Sequence, residues 1–153
     1  MSKSIKFKNN IYLDSSSIVH NKEALSNFIV GKVINFDKSI HISSAETWFD
    51  TGIKGNNMSP GTYIIQVFIN SYQVNAQYCE YLSGVVAWTN QQTNSGNADE
   101  IPLSKAGHAR NNHNIRLRIL RQSGSNDYIK LQICDSIAWS GSGAVNFKFR
   151  KLI

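Results

Sequence analysis

Acidic side chains are scarce in this chain: 10 Asp and Glu stand against 16 Lys and Arg in 153 residues, a formal net charge of +6. Glycoside cleavage needs two carboxylates facing each other across one sugar bond. Only Glu46/Asp50 and Asp99/Glu100 lie close enough in sequence to suggest such a pair, and exposed acids balancing nearby Lys and Arg are the expected reading of both. Cysteine is nearly absent. Cys79 and Cys134 are too few for a disulfide-stapled scaffold; a bond between them stays open, and two free thiols made in a reducing cytosol are the expectation. Also missing is any run of about 20 apolar residues, so no membrane insertion is expected. Met1-Ser2-Lys3-Ser4 leads into a charged, alternating segment instead of an apolar signal core, so no signal peptide is expected either.

Charged residues make up only 17%, below the usual share of about a quarter. Ser, Asn and Gln take their place. A neutral polar surface of this kind suits hydrogen bonding to sugars, and an A+T-rich genome would produce it as well. The basic residues do not form an arm or a helical face. They are spread along apparent strands (Arg116, Arg118, Lys130, Lys148, Arg150) with no nucleic-acid motif beside them. No nucleic-acid partner is expected; an acidic polysaccharide or plain solvation explains the charge.

What the chain does contain is two-residue alternation. Ile115-Arg116-Leu117-Arg118-Ile119, Ile129-Lys130-Leu131-Gln132-Ile133 and Val145-Asn146-Phe147-Lys148-Phe149-Arg150 each read in-out-in, and Tyr63 to Ile69 is apolar on one face and mixed on the other. Successive side chains of a strand point to opposite faces, so these segments predict strands with one buried and one wet face. By the same alternation Cys134 belongs with the outward Lys130 and Gln132, and Arg116 and Arg118 are expected to reach solvent. Strands are predicted at 32–36, 40–43, 47–53, 62–70, 82–89, 100–106, 114–121, 128–134 and 144–152. Turn residues such as Lys54-Gly55-Asn56-Asn57, Asn94-Ser95-Gly96-Asn97 and Ser140-Gly141-Ser142-Gly143 separate several of them. The fold class expected is all-β: an antiparallel β-sandwich of jelly-roll type over 31–153.

Residues 1–30 form a separate segment. Two short strands flank Asn9-Asn10, and Ala24, Leu25, Phe28 and Ile29 make an apolar stripe on a short helix stopped at Gly31. A strand–turn–helix unit this small does not fold alone in water.

Sugar recognition calls for aromatic rings against the apolar faces of pyranoses, with amides and charged groups for the hydroxyls. Two stretches supply that mixture, and the candidate ligand residues are Tyr72, Gln73, Asn75, Tyr78 and Tyr81 in one and Trp88, Asn90, Gln91 and Asn94 in the other. Trp48 and Trp139 are alternatives, and a core position is the competing expectation for Trp88 and Trp48. His108 and His113 lie five apart near Asp99 and Glu100 without a third or fourth ligand in register, so no metal and no cofactor are expected. No nucleophile–base arrangement can be assembled, so no catalytic residue is named and no enzyme is expected.

The segment Ile5-Lys6-Phe7-Lys8 through Asn21-Lys22 resembles the lead-in of tailed-bacteriophage tail fibre and tailspike proteins. Thr47-Trp48-Phe49-Asp50-Thr51-Gly52-Ile53 and Ser59-Pro60-Gly61-Thr62-Tyr63-Ile64-Ile65-Gln66-Val67 resemble the opening of a C-terminal β-sandwich on such fibres. Asp99-Glu100-Ile101-Pro102-Leu103, Ala106-Gly107-His108-Ala109 and Phe147-Lys148-Phe149-Arg150-Lys151-Leu152-Ile153 are similar to further segments of the same modules. The resemblance implies a homotrimer at the tip of a fibre or spike, part of a virion assembled in the host cytoplasm, in which residues 1–30 serve as stalk or trimerisation segment. It also implies a non-enzymatic, receptor-binding role against host cell-surface polysaccharide. Two alternatives are a capping or trimerisation domain with no ligand of its own and a monomeric bacterial carbohydrate-binding module.

Overall fold

A computed structural model of the chain describes residues 5–6, 12–13, 31–71, 78–89, 97–108, 113–121 and 129–153, with 5–6, 12–13, 71, 78–80 and 106–108 described by their backbone alone. The described chain is all-β. Its strands are β1 (Ile5–Lys6), β2 (Tyr12–Leu13), β3 (Val33–Ile40), β4 (Phe49–Lys54), β5 (Gly61–Ser71), β6 (Tyr78–Trp88), β7 (Ala98–Glu100), β8 (Leu103–His108), β9 (Arg116–Arg121), β10 (Ile129–Cys134) and β11 (Gly143–Lys151). One 3-10 turn, Gly55–Asn57, follows β4. The expected short strands on either side of Asn9-Asn10 are β1 and β2, which pair antiparallel with Ile5 opposite Leu13. The helix expected over 20–30 lies outside the described residues.

The main strands form two antiparallel sheets, one of four strands in the order β4-β10-β9-β7 and one of five in the order β3-β11-β5-β6-β8. The alternation visible in sequence builds the layer between them. Ile115, Leu117, Ile119, Leu131 and Ile133 from one sheet and Tyr63, Ile65, Val67, Ile69, Phe147 and Phe149 from the other belong to a single buried cluster. Each such side chain contributes roughly 1.5–3 kcal/mol on burial. This is the two-layer arrangement of a β-sandwich. Phe149 is the hub of one end: Phe36, Tyr63 and Trp88 meet its ring edge-on at centroid distances of 5.9, 6.2 and 6.2 Å.

Three details depart from the alternation. The single strand expected at 100–106 is two strands in different sheets, because Ile101-Pro102 carries the chain across: Pro102 has no N–H to give a ladder, while Ile101 donates to Leu117 O at 2.9 Å and buries its side chain. The strands expected at 32–36 and 40–43 are one strand, β3, which ends at Ile40, and the Ile42 carbonyl accepts a 2.7 Å bond from Trp139 N. On β4 the register slips against β10, since Asp50 pairs with Gln132 but Lys54 with Lys130. Gly52 absorbs the extra length at φ +76, and Thr51 turns inward to donate to Leu131 O at 2.8 Å.

Candidate site on the outer face of the four-stranded sheet

The outward positions of β9 and β10 do not end in open solvent. The register sets Arg118 opposite Gln132 and Arg116 opposite Cys134, while Gln132 on its other side faces Asp50 of β4. A connected polar row results. Arg118 Nε–H donates to Gln132 Oε1 at 2.8 Å, Gln132 Nε2 donates to Asp50 Oδ1 at 2.7 Å, and Lys130 Nζ lies 3.6 Å from Asp50 Oδ2. The second row is built on Arg116, which pairs with Glu46 and with Glu100 (3.4 Å) and donates to Cys134 Sγ at 3.5 Å. At the far end of β9, Arg121 pairs with Asp99 of β7.

Trp48, the residue before β4, lies against both rows. Its ring centroid is 4.4 Å from the Arg118 guanidinium carbon and 5.3 Å from that of Arg116. Guanidinium groups at such distances are held by the ring quadrupole. The Trp48 side chain is half-buried, and Glu46 and Asp50 on either side of it stay exposed. The hydrogen bond to the Cys134 sulfur, and after it the Glu46 and Glu100 carboxylates, raise the Arg116 pKa further above its already high value. The Arg116 side chain is 32% exposed, in keeping with the expected solvent access, although its Nε–H is buried without a partner among the described residues.

This covering layer corrects the reading of Cys134. It occupies the outward phase but is completely buried, because Arg116 and the chain turning at Asp135 lie over it; it is a free thiol. A Cys79–Cys134 bridge is therefore not formed.

A buried carboxylate holds the edge of the site. Asp135 is fully buried; its Oδ2 lies 2.6 Å from His113 Nδ1 and accepts the Trp139 indole N–H at 2.7 Å, and its Oδ1 accepts the Asn114 N–H at 3.1 Å. Its backbone carbonyl accepts the Glu46 N–H at 2.8 Å. Glu46 has φ +55, a conformation rare for a residue with a side chain, at the position from which it reaches Arg116. Asp135 thus ties the turn carrying Glu46 to the chain entering β9. His113, expected in an ordinary polar loop, belongs to this buried cluster, and His41 Nε2 lies 3.0 Å from the Trp139 carbonyl.

The sequence-derived candidates fall elsewhere. Trp88 is a core residue: it is fully buried at an inward position of β6, with its ring on Phe149 and its Nε1 3.4 Å from Gly55 O, so it cannot meet a surface ligand. Tyr81 lies on the outer face of the five-stranded sheet, 39% exposed and opposite Phe68 in register. Seven residues apart on one strand, Tyr81 and Trp88 face opposite sides and share no site. Tyr78 opens β6 and is described by its backbone alone; Tyr72, Gln73, Asn75, Asn90, Gln91 and Asn94 lie outside the described residues. Trp139 is buried under Asp135. The outer-face residues that do converge carried one sequence signal, the outward phase of Arg116 and Arg118; that Trp48 covers them is set by a cross-strand contact invisible to local pattern.

Among the described residues no three His, Cys, Asp or Glu side chains are grouped to hold a metal ion, and no helix is long and apolar enough to cross a membrane. Compared with protein-family models, with curated proteins and with solved structures, the chain finds no match.

Proposed function

We propose that this chain is a non-enzymatic carbohydrate-binding domain that docks host cell-surface polysaccharide at the tip of a trimeric phage tail fibre or tailspike, with the outer face of the four-stranded sheet as its docking surface. The observation that carries the binding part is Trp48 set against Arg116 and Arg118 within a chain of carboxylates and amides. An indole offers its face to the C–H side of a pyranose, and the exposed oxygens of Glu46 and Asp50 accept from hydroxyls while Lys130 donates to them. The ion pairs hold these groups in place before a ligand arrives, which lowers the ordering cost of binding. The fibre context rests on the sequence resemblance, and a jelly-roll winding on the number and spacing of the strands and turns read in the sequence. Binding of cell-surface glycans to immobilised protein, reduced about tenfold by Trp48→Ala with the fold retained, tests the reading. Undiminished binding by that variant would move the site off this face.

A second reading, a capping or trimerisation domain, is favoured by the other sheet. Val33, Phe68, Tyr81 and Val85 are exposed on the outer face of the five-stranded sheet at 36, 40, 39 and 56%. Phe68 and Tyr81 are cross-strand neighbours there, and exposed apolar side chains that adjoin mark association surfaces. A trimer that binds no glycan would favour this second reading, and a monomer that binds would favour the bacterial carbohydrate-binding module.

A further inference from the structure

The outer face of the five-stranded sheet carries two cations of β11 among its apolar side chains. Lys148 and Arg150 hold the outward phase on either side of the buried Phe149, ~7 Å apart along the strand. Arg150 is exposed and Lys148 half-buried, and neither makes an ion pair or a hydrogen bond among the described residues. The register sets them in a grid. Arg150 lies between Val33 and Ile64, and Lys148 between Asn35 and Gln66, whose amides are likewise uncommitted among the described residues. In the next row the exposed Phe68 faces Tyr81, and Phe68 is the diagonal neighbour of Lys148, roughly 7–8 Å away. The chain itself offers these cations no acid. Each described carboxylate is engaged: Glu46 and Glu100 by Arg116, Asp50 by Lys130 and Gln132, Asp99 by Arg121, Asp37 by Asn146, and Asp135 in its buried cluster. A second copy laid on this face would bring the same cations and, among the described residues, no spare acid. The complementary charge therefore belongs to another molecule. Duplex DNA is held by on the order of 6–10 phosphate contacts, and here there are two cations. Aromatic rings beside amides and cations on an open sheet match the C–H faces, hydroxyls and carboxylates of an acidic sugar chain.

We propose that the outer face of the five-stranded sheet is a second docking surface, taking a uronate-bearing polysaccharide. Lys148 and Arg150 pair with its carboxylates, while Phe68 and Tyr81 stack against its rings. It lies across the sandwich from Trp48, where Arg116, Arg121 and Lys130 each already have a carboxylate, so the two surfaces answer to different variants. The test is an amide-resonance NMR titration of the full chain with an oligogalacturonate, its methyl ester, poly-L-glutamate and duplex DNA at constant ionic strength. The oligogalacturonate should shift the resonances of 66–68 and 146–150 saturably. Its methyl ester, which keeps the sugar rings and loses the charge, should bind about tenfold more weakly. The double variant Lys148→Gln/Arg150→Gln and the single variant Phe68→Ala should each weaken uronate binding about tenfold. All three side chains leave the sheet on its outer side, so the resonances of β9 and β10 should stay in place. Trp48→Ala should leave uronate affinity unchanged, which keeps a failure of this site distinct from a failure of the Trp48 face. Equal binding of the methyl ester, poly-L-glutamate or DNA binding as tightly as the uronate, uronate binding lost in Trp48→Ala, or binding indifferent to the β11 substitutions would overturn the proposal. So would a self-associated chain that Phe68→Asp converts to monomers, which would give this face to a second copy.

Discussion

Asp135 is the residue on which the edge of the Trp48 face depends. Three side-chain groups (His113, Trp139 and, at 3.4 Å, the Ser136 hydroxyl) and one backbone N–H converge on its carboxylate, which has no solvent access. Asp135→Ala leaves the buried Trp139 indole N–H without its acceptor, at roughly 1–3 kcal/mol, and removes the His113 contact, while the Asn114 N–H keeps its 2.9 Å bond to Ser136 Oγ. Urea denaturation should show a loss of about 3 kcal/mol or more, whereas Asp37→Ala, which removes an exposed bond to Asn146, should stay within about 0.5 kcal/mol. Equal effects would mean that the buried cluster does not hold this edge. None of this was legible beforehand: Asp135 reads as a loop acid after a strand, and its partners His113 and Trp139 come from different turns. Trp88 shows the same limit from the other side, since a tryptophan ending a strand beside a polar loop reads equally as ligand platform or core. Its even-numbered position is in phase with the buried Leu82 and Val86, the pattern that goes with a core side chain.

At the scale of elements, the alternations predicted β9, β10, β11 and the inward face of β5 because their period survives intact from sequence to sheet. Failures came where the chain leaves that period. Pro102 ends one ladder and sends the chain to the other sheet, and Gly52 stores a register slip. These two places make contrasting predictions. Gly52→Ala meets only Lys38 Nζ at 3.6 Å, so its cost is that of a left-handed conformation, roughly 1–2 kcal/mol. Gly84→Ala has no such conformational cost, but its Cβ would come within 2.6 Å of Pro102 O. That collision is with backbone at the sheet crossing, so thermal unfolding should show Gly84→Ala as the more destabilised variant. The reverse order would contradict the close approach of β6 to the crossing.

Taken whole, the domain presents two unlike outer faces, one a charged grid around Trp48 and the other a sheet with Val33, Phe68, Tyr81 and Val85 exposed. On the proposed function, the first face would capture glycan. Light scattering of the full chain should give three times its 17.1 kDa mass, and a chain starting at Gly31 should lose that mass if residues 1–30 hold the trimer. A monomer in both forms would rule out the fibre setting while leaving glycan binding open. The decisive measurement is therefore a glycan array probed with the wild-type chain and with Trp48→Ala in parallel. Binding to a defined set of polysaccharides that falls about tenfold in the variant is the expected result. Wild-type protein that binds no glycan, or a variant that binds as well as wild type, would contradict the assignment of this face to sugar.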